Sequence, residues 1–304
     1  MAAGDDRSVL GVRQSALAFA PPTGACDTHV HVFGPAGAFP YAADRRYTPG
    51  DATVEDLLAL QSLLRLDRVV LAQPSPYGTD NRRLIAALSE LGPRGRGVAV
   101  IDPAVPAAEL AAMHAAGVRG ARLNLETAGQ HDPVAALDIL RTVARRVAPL
   151  RWHVQTYTSL AVITALQDAI LDLPVPLVID HFGKALAACG TGQAGFAALL
   201  SLVGSGRVYV KLSAPCRISD HPDYGDAADI ARALIAANPD RMLWGTDWPH
   251  TAARRDPSRA AHEIEPFQPE DDGRALNRLH DWVGGDADLL RRILAENPAR
   301  LYGF

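Results

Sequence analysis

Cys26-Asp27-Thr28-His29-Val30-His31-Val32-Phe33-Gly34 sets two histidines one residue apart in a short β-branched run. Residues i and i+2 of a strand share a face, so the reading predicts that His29 and His31 point the same way. Burying two imidazoles side by side is costly unless each finds a partner, and a metal ion or a polarised carbonyl would suit them. With ten histidines in 304 residues, chance alone would place an H-x-H in about one chain in three. The spacing gains meaning from its company: His153, His181 and Asp247 each end a later apolar run.

Outward from this stretch, Val/Ile/Leu-rich runs alternate with Ala/Leu-rich helical patterns. The runs fall near 25–32, 67–73, 96–101, 118–124, 150–155, 175–180, 207–213 and 241–246. Helices are expected near 53–65, 80–91, 106–116, 134–148, 159–171, 193–204, 226–237 and 272–296, the last broken at Gly284-Gly285. Continuously apolar strands separated by helices read as parallel, and eight such units fit an α/β fold of the (β/α)8 TIM-barrel type in a single domain, 25–304. No G-x-G-x-x-G opens the first helix, which removes the main support for a dinucleotide-binding sheet. Residues 1–24 read as an N-terminal arm. Residues 33–52 and 248–271, rich in Pro, Gly, Arg and Asp, read as long loops over the barrel mouth.

Composition narrows the classes of function. A hydrophobic content of 48% supports a large core, and a net charge of −4 with signs mixed along the chain argues against a nucleic-acid partner. Cys26, Cys189 and Cys216 lack C-x-x-C spacing, so neither a disulfide framework nor a thiolate zinc site is expected. Asp5 and Asp6 stand where a secretory signal would be basic, and no run approaches the length needed to span a bilayer. No membrane association and a cytoplasmic location are therefore expected. Only Lys184 and Lys211 are lysines, which limits carbamylated-lysine chemistry.

Barrel enzymes place their chemistry at the carboxyl ends of the strands. There the chain carries His29 and His31, Gln73-Pro74-Ser75, Arg122 and Asn124, His153 and Gln155, Asp180-His181, Lys211-Leu212-Ser213, and Gly245-Thr246-Asp247-Trp248-Pro249-His250. Singly each is more often structural than catalytic; a core histidine bonded to a backbone carbonyl is the ordinary alternative for His153. Together they would be expensive to pack without a task.

These residues resemble the amidohydrolase superfamily, through His29-x-His31, His181, Gly245-Thr246-Asp247-Trp248-Pro249 and the ending Asn297-Pro298-Ala299-Arg300-Leu301-Tyr302-Gly303-Phe304. Within it, Asp27 to Pro35, Arg46-Tyr47-Thr48-Pro49 and Gln73-Pro74-Ser75-x-Tyr77-Gly78-Thr79-Asp80-Asn81 are similar to the 2-pyrone-4,6-dicarboxylate lactonase branch. The resemblance implies hydrolysis of a small carboxylated lactone without a required metal, and it matches Arg122 and Arg217 to arginines that hold the substrate. Where that branch carries a further basic residue after the fourth strand, this chain reads Leu125-Glu126-Thr127-Ala128-Gly129. A substrate with fewer carboxylates, such as a muconolactone-like or aldonolactone-like compound, is expected instead.

A lactone carbonyl needs a cradle for its developing oxyanion and a base for the attacking water. Asp247 is the expected base, with His29, His31 and His181 as the cradle. Should one divalent ion such as zinc be used, His29, His31, His153, His181 and Asp247 supply its ligands, and the chain would then be a zinc-dependent decarboxylase, lactonase or lactone isomerase. Substrate contacts are expected from Arg122, Arg217, Tyr47, Ser75, Tyr77, Thr79, Asn124, His153 and Tyr157. Tyr47 and Tyr77 serve equally well as loop packing, and Glu126 as a helix cap or a solvated side chain. The assembly expected is a monomer or homodimer.

Overall fold

The computed structural model describes residues 7–253, 255–256 and 258–304. The first six residues of the expected arm, with Asp5 and Asp6, lie outside the described residues. Eight strands build the centre: β1 (Cys26–Val30), β2 (Arg68–Ala72), β3 (Gly95–Ala99), β4 (Val118–Leu123), β5 (His153–Thr156), β6 (Leu177–Ile179), β7 (Val208–Ser213) and β8 (Met242–Gly245). Each pairs in parallel with its neighbour in chain order. The two edges meet where Asp247 N–H donates to His29 O (2.9 Å) and His31 N–H donates to Trp248 O (2.8 Å), so the sheet comes round on itself as a barrel.

The alternation along each strand explains the uniformly apolar runs. Val69, Leu71, Val208, Val210, Met242 and Trp244 face outward into the main core under the helices. Cys26, Val70, Val98, Val178, Tyr209 and Leu243 face inward and close the bottom of the barrel with Tyr302. One step of two residues further up, the same inward face turns polar, from Val178 to Asp180 and from Tyr209 to Lys211 and Ser213. The pairing of β1 with β2 shifts register between Asp27 and Val30, the kind of irregularity that re-aims side chains beside an active site.

Helices cover the barrel at Val54–Leu64, Arg82–Leu91, Ala107–Ala115, Pro133–Val147, Phe196–Gly204, Ala228–Ala237 and Asp272–Trp282. The first is closed by a capping box in which Thr53 and Asp56 exchange hydrogen bonds. The expected 159–171 helix is split into Leu160–Ala165 and Gln167–Leu171, and the last one breaks at Gly284 and Gly285, both with positive φ, as their sequence foretells. Within the segment expected to be an arm, Ser15 N–H donates to Asp271 (2.9 Å) and Gln14 Oε1 accepts from Asp272 N–H (2.7 Å). Over the mouth, Thr48–Pro49 pairs with Ile264–Glu265, which ties the two long loops together. Among the described residues no helix is long and apolar enough to cross a membrane, and the three cysteines are free.

Candidate active site

Asp247 follows β8 in a left-handed backbone conformation (φ 69°) that turns its carboxylate into the mouth. Gly245 makes this approach feasible, since a Cβ there would stand 2.7 Å from His29 N. Asp247 Oδ2 accepts from Arg217 Nε (3.1 Å) and Nη2 (2.7 Å). Oδ1 makes no hydrogen bond and faces Nε2 of His29 (3.5 Å), His31 (3.5 Å) and His181 (3.7 Å). Burial alone would push this carboxyl up, but the Arg217 guanidinium and the surrounding imidazoles of His181, His31 and His29 together outweigh it and hold the group well below the usual carboxylate range.

The three imidazoles are buried and neutral. Burial lowers His31 below its ordinary value and takes His29 well below it, while His181 falls to about 3. His31 Nδ1 stands 2.7 Å from Ala72 O. A carbonyl only accepts, so Nδ1 holds the hydrogen and His31 Nε2 turns a lone pair to the site. His181 Nδ1 lies 2.9 Å from Ser213 Oγ, which can donate or accept. His29 Nε2, His31 Nε2 and Asp247 Oδ1 form a group whose atoms lie within 4.8 Å of one another; His29, Asp180 and His181 form a second. Two of the first set's atoms, His29 Nε2 and Asp247 Oδ1, are buried without a hydrogen-bond partner, so the donor set and its spacing fit one divalent ion.

Below this layer runs an ionic network. Asp180 Oδ2 accepts from Arg122 Nη2 and Gln155 Nε2, each at 3.2 Å, and Oδ1 stands 3.3 Å from His29 Nδ1. Lys211, fully buried, donates to Thr28 O (2.7 Å) and Gln155 Oε1 (2.8 Å), and burial pulls it down to about 8. Asp27 braces β1 against β8 by accepting from His29 N, Thr246 N and Thr246 Oγ1, with burial pushing it up to about 7.

Above, a narrow cleft of about 30 Å³ is lined by His31, Tyr47, Ser75, Arg122, Asn124, Tyr157, His181, Arg217 and Asp247, together with Thr127, Thr251 and Arg255. The structure thus brings most of the expected set together and leaves three residues elsewhere. Thr79 is exposed beside the Arg82–Leu91 helix, away from the mouth. Tyr77 is buried in the loops, its hydroxyl accepting from Gly34 N–H (2.8 Å) and its ring against Phe33 and Tyr41. His153 opens β5 instead of ending it, so its ring lies one layer down, over Gly120 and edge-on to Tyr302, outside both groups of potential ligands. The burial that keeps it there lowers it to about 3. Glu126 neither caps a helix nor faces water freely: it sits in a short helix, Leu125–Ala128, and pairs with Lys184.

Arg255 was not expected at the mouth; it lies 3.5 Å over the Tyr47 ring and pairs with Glu265. Its arrival depends on the docking of the 248–271 loop onto Thr48–Pro49, which no local pattern announces. Asp180 and Lys211 carried a weak signal, as charged residues interrupting apolar strands.

A barrel whose strand ends converge on an aspartate, three histidines and two arginines is laid out as TIM-barrel enzymes lay out their active sites. Residues 26–304 match the amidohydrolase family, and the chain belongs to it. It is 35% identical over 294 residues to a 2-pyrone-4,6-dicarboxylate hydrolase of Comamonas testosteroni, covering 93% of this chain and 92% of that protein. It is 36% identical over 294 residues to a 4-sulfomuconolactone hydrolase of Rhizobium radiobacter, covering 96% and 94%. Among solved structures, the apo form of Agrobacterium tumefaciens ATU3138 superposes with a TM-score of 0.81 at 27% identity, covering 95% of this chain and 99% of that one.

Proposed function

We propose that the protein is a hydrolase that opens a small carboxylated lactone by attack of water on the ring carbonyl. Asp247 is the general base, and His29, His31 and His181 surround the carbonyl, those with a hydrogen on Nε2 polarising it. The observation that carries this reading is the divided Asp247 carboxylate, one oxygen clamped by Arg217 and the other buried, unbonded and ringed by imidazoles. The activities named for the two curated relatives support the substrate class.

Water between Oδ1 and the carbonyl gives its proton to Asp247 as the oxygen attacks. The oxyanion falls among the imidazoles, where those with a hydrogen on Nε2 donate to it. Collapse of the tetrahedral intermediate expels the ring oxygen, which takes the proton held by Asp247, restoring the carboxylate base and leaving a free carboxylic acid at the cleaved bond. Arg122 and Arg217 hold the substrate's carboxylate, and Tyr47, Ser75, Asn124 and Tyr157 line the remaining walls. A carboxylate that draws on Arg217 weakens its hold on Asp247, so the base strengthens when substrate arrives. A divalent ion, when bound by His29, His31 and Asp247, supplies Lewis-acid polarisation of the carbonyl.

Glu126 pairs with Lys184 near Tyr157 and so cancels a cation beside the mouth. This favours a lactone with fewer carboxylates than the pyrone dicarboxylate, muconolactone-like or aldonolactone-like. The test is a panel of carboxylated lactones followed with a pH indicator, because ring opening releases a proton. Acidification with the wild type and its loss in Asp247→Asn are expected; no turnover across the panel overturns the reading.

A further inference from the structure

Lys211 carries a buried charge that the hydrolytic reading leaves without a task. It sits mid-strand on β7, and two of its three N–H bonds go to Thr28 O (2.7 Å) and Gln155 Oε1 (2.8 Å). The third has His29 Nδ1 at 3.3 Å, with Asp180 Oδ1 farther off at 3.8 Å. Asp180 Oδ1 also stands 3.3 Å from His29 Nδ1, yet that oxygen makes no hydrogen bond. The ring nitrogen is therefore the acceptor in line with the ammonium.

We infer that Lys211 is a positioning residue that sets the tautomer of His29: its ammonium donates to Nδ1, so the neutral ring carries its hydrogen on Nε2 and faces Asp247 as a donor. The adjacent His31 has the opposite tautomer, because Ala72 O takes its Nδ1–H. The H-x-H pair thus presents one donor and one acceptor to the same space, where a bound metal ion requires two lone pairs. For His29 to ligate, its hydrogen would have to move to Nδ1, against the Lys211 ammonium. The ligand atoms for a metal are in place, and Lys211 keeps the affinity low. The inference concerns His29 itself and holds for whatever ring the enzyme opens.

Two measurements test it, and neither reads activity. In chelator-treated wild-type protein labelled with ¹⁵N-histidine, long-range ¹H–¹⁵N spectra, assigned with His29→Gln and His31→Gln, should show His29 as the Nε2–H and His31 as the Nδ1–H tautomer. A His29 Nδ1–H tautomer overturns the inference. Titration with Zn²⁺ against a chromophoric chelator should show Lys211→Met binding the ion about ten- to a hundredfold more tightly than wild type, the range in which partners of metal-ligating histidines act. An unchanged or weaker affinity in a variant with the wild-type circular dichroism overturns it as well. The tautomer measurement needs no change at Lys211 and decides the case whether or not that variant folds. Failure of the lactonase reading would appear separately, as absent turnover across the lactone panel.

Discussion

Replacing Asp247 by Asn keeps the side chain's shape and removes its charge, and the structure makes two opposed consequences calculable. Loss of the general base should lower kcat by about 10² to 10⁴, equivalent to roughly 3 to 5 kcal/mol of transition-state stabilisation. At the same time Arg217 loses its charged partner at 2.7 and 3.1 Å and keeps only neutral ones, the amide oxygen, the Tyr157 ring, and Thr251 O and Oγ1, these last two each at 3.4 Å. A guanidinium released in this way is available to an anionic ligand. A charge-assisted hydrogen bond is worth about 1.5 to 3 kcal/mol, so a non-reacting carboxylate, such as the ring-opened product, should bind Asp247→Asn about ten- to a hundredfold more tightly than wild type. Folding stability should fall, because the Arg217 side chain is only 10% exposed and an unpaired buried cation costs up to about 3 to 5 kcal/mol. Indicator assays give kcat, calorimetry the product affinity, and thermal melts the stability. A kcat within tenfold of wild type refutes Asp247 as the base; weaker product binding refutes the role of Arg217 as a carboxylate anchor that Asp247 holds in reserve.

Arg122→Met should cost about ten- to a hundredfold in kcat/KM for a carboxylated lactone and far less for its ester; equal losses would assign Arg122 to bracing Asp180, its partner at 3.2 Å. Tyr77→Phe should leave KM unchanged and lower stability by about 1 to 3 kcal/mol in denaturant unfolding, since the buried Gly34 N–H loses its acceptor; a raised KM with unchanged stability would return Tyr77 to the substrate. His250 lies 3.0 Å from the buried Asp272. Burial pulls its imidazole down, but the carboxylate outweighs that and raises it above its ordinary value. A raised folded-state value stabilises fully below the unfolded one and is lost as pH climbs through the folded one. The Tm advantage of wild type over His250→Gln should accordingly be largest near pH 6 and shrink by pH 9, and a gap independent of pH would show the pair to be uncharged.

The fold was legible because a parallel barrel writes itself locally. Strands buried on both faces are apolar along most of their length, as in Val69-Val70-Leu71 and Met242-Leu243-Trp244, and each covering helix repeats its own period. The strand-end rule pointed to Asp247, His29, His31, His181 and Arg122, since a charged residue ending such a run has few structural uses, while Arg217, beyond the end of its strand, came from the family resemblance. His153 misled by the same rule: strand limits are hard to place within two or three residues, and a shift of two residues along β5 moves a side chain by one layer, from the mouth to the floor.

What the sequence by itself determined is therefore the order of elements, the inward polar face and the residue types gathered at the mouth, because these follow from periodicity and from the cost of burying charge. What only the tertiary structure decided is who partners whom. Arg217 on Asp247, Arg122 on Asp180, Lys211 behind His29 and Glu126 on Lys184 join residues between 30 and 182 positions apart in the chain. Hydrogen-bond direction, the hydrogen each imidazole carries and the oxygen of Asp247 left unbonded depend on distances of a few tenths of an ångström across the closed barrel, which no local pattern of residues encodes.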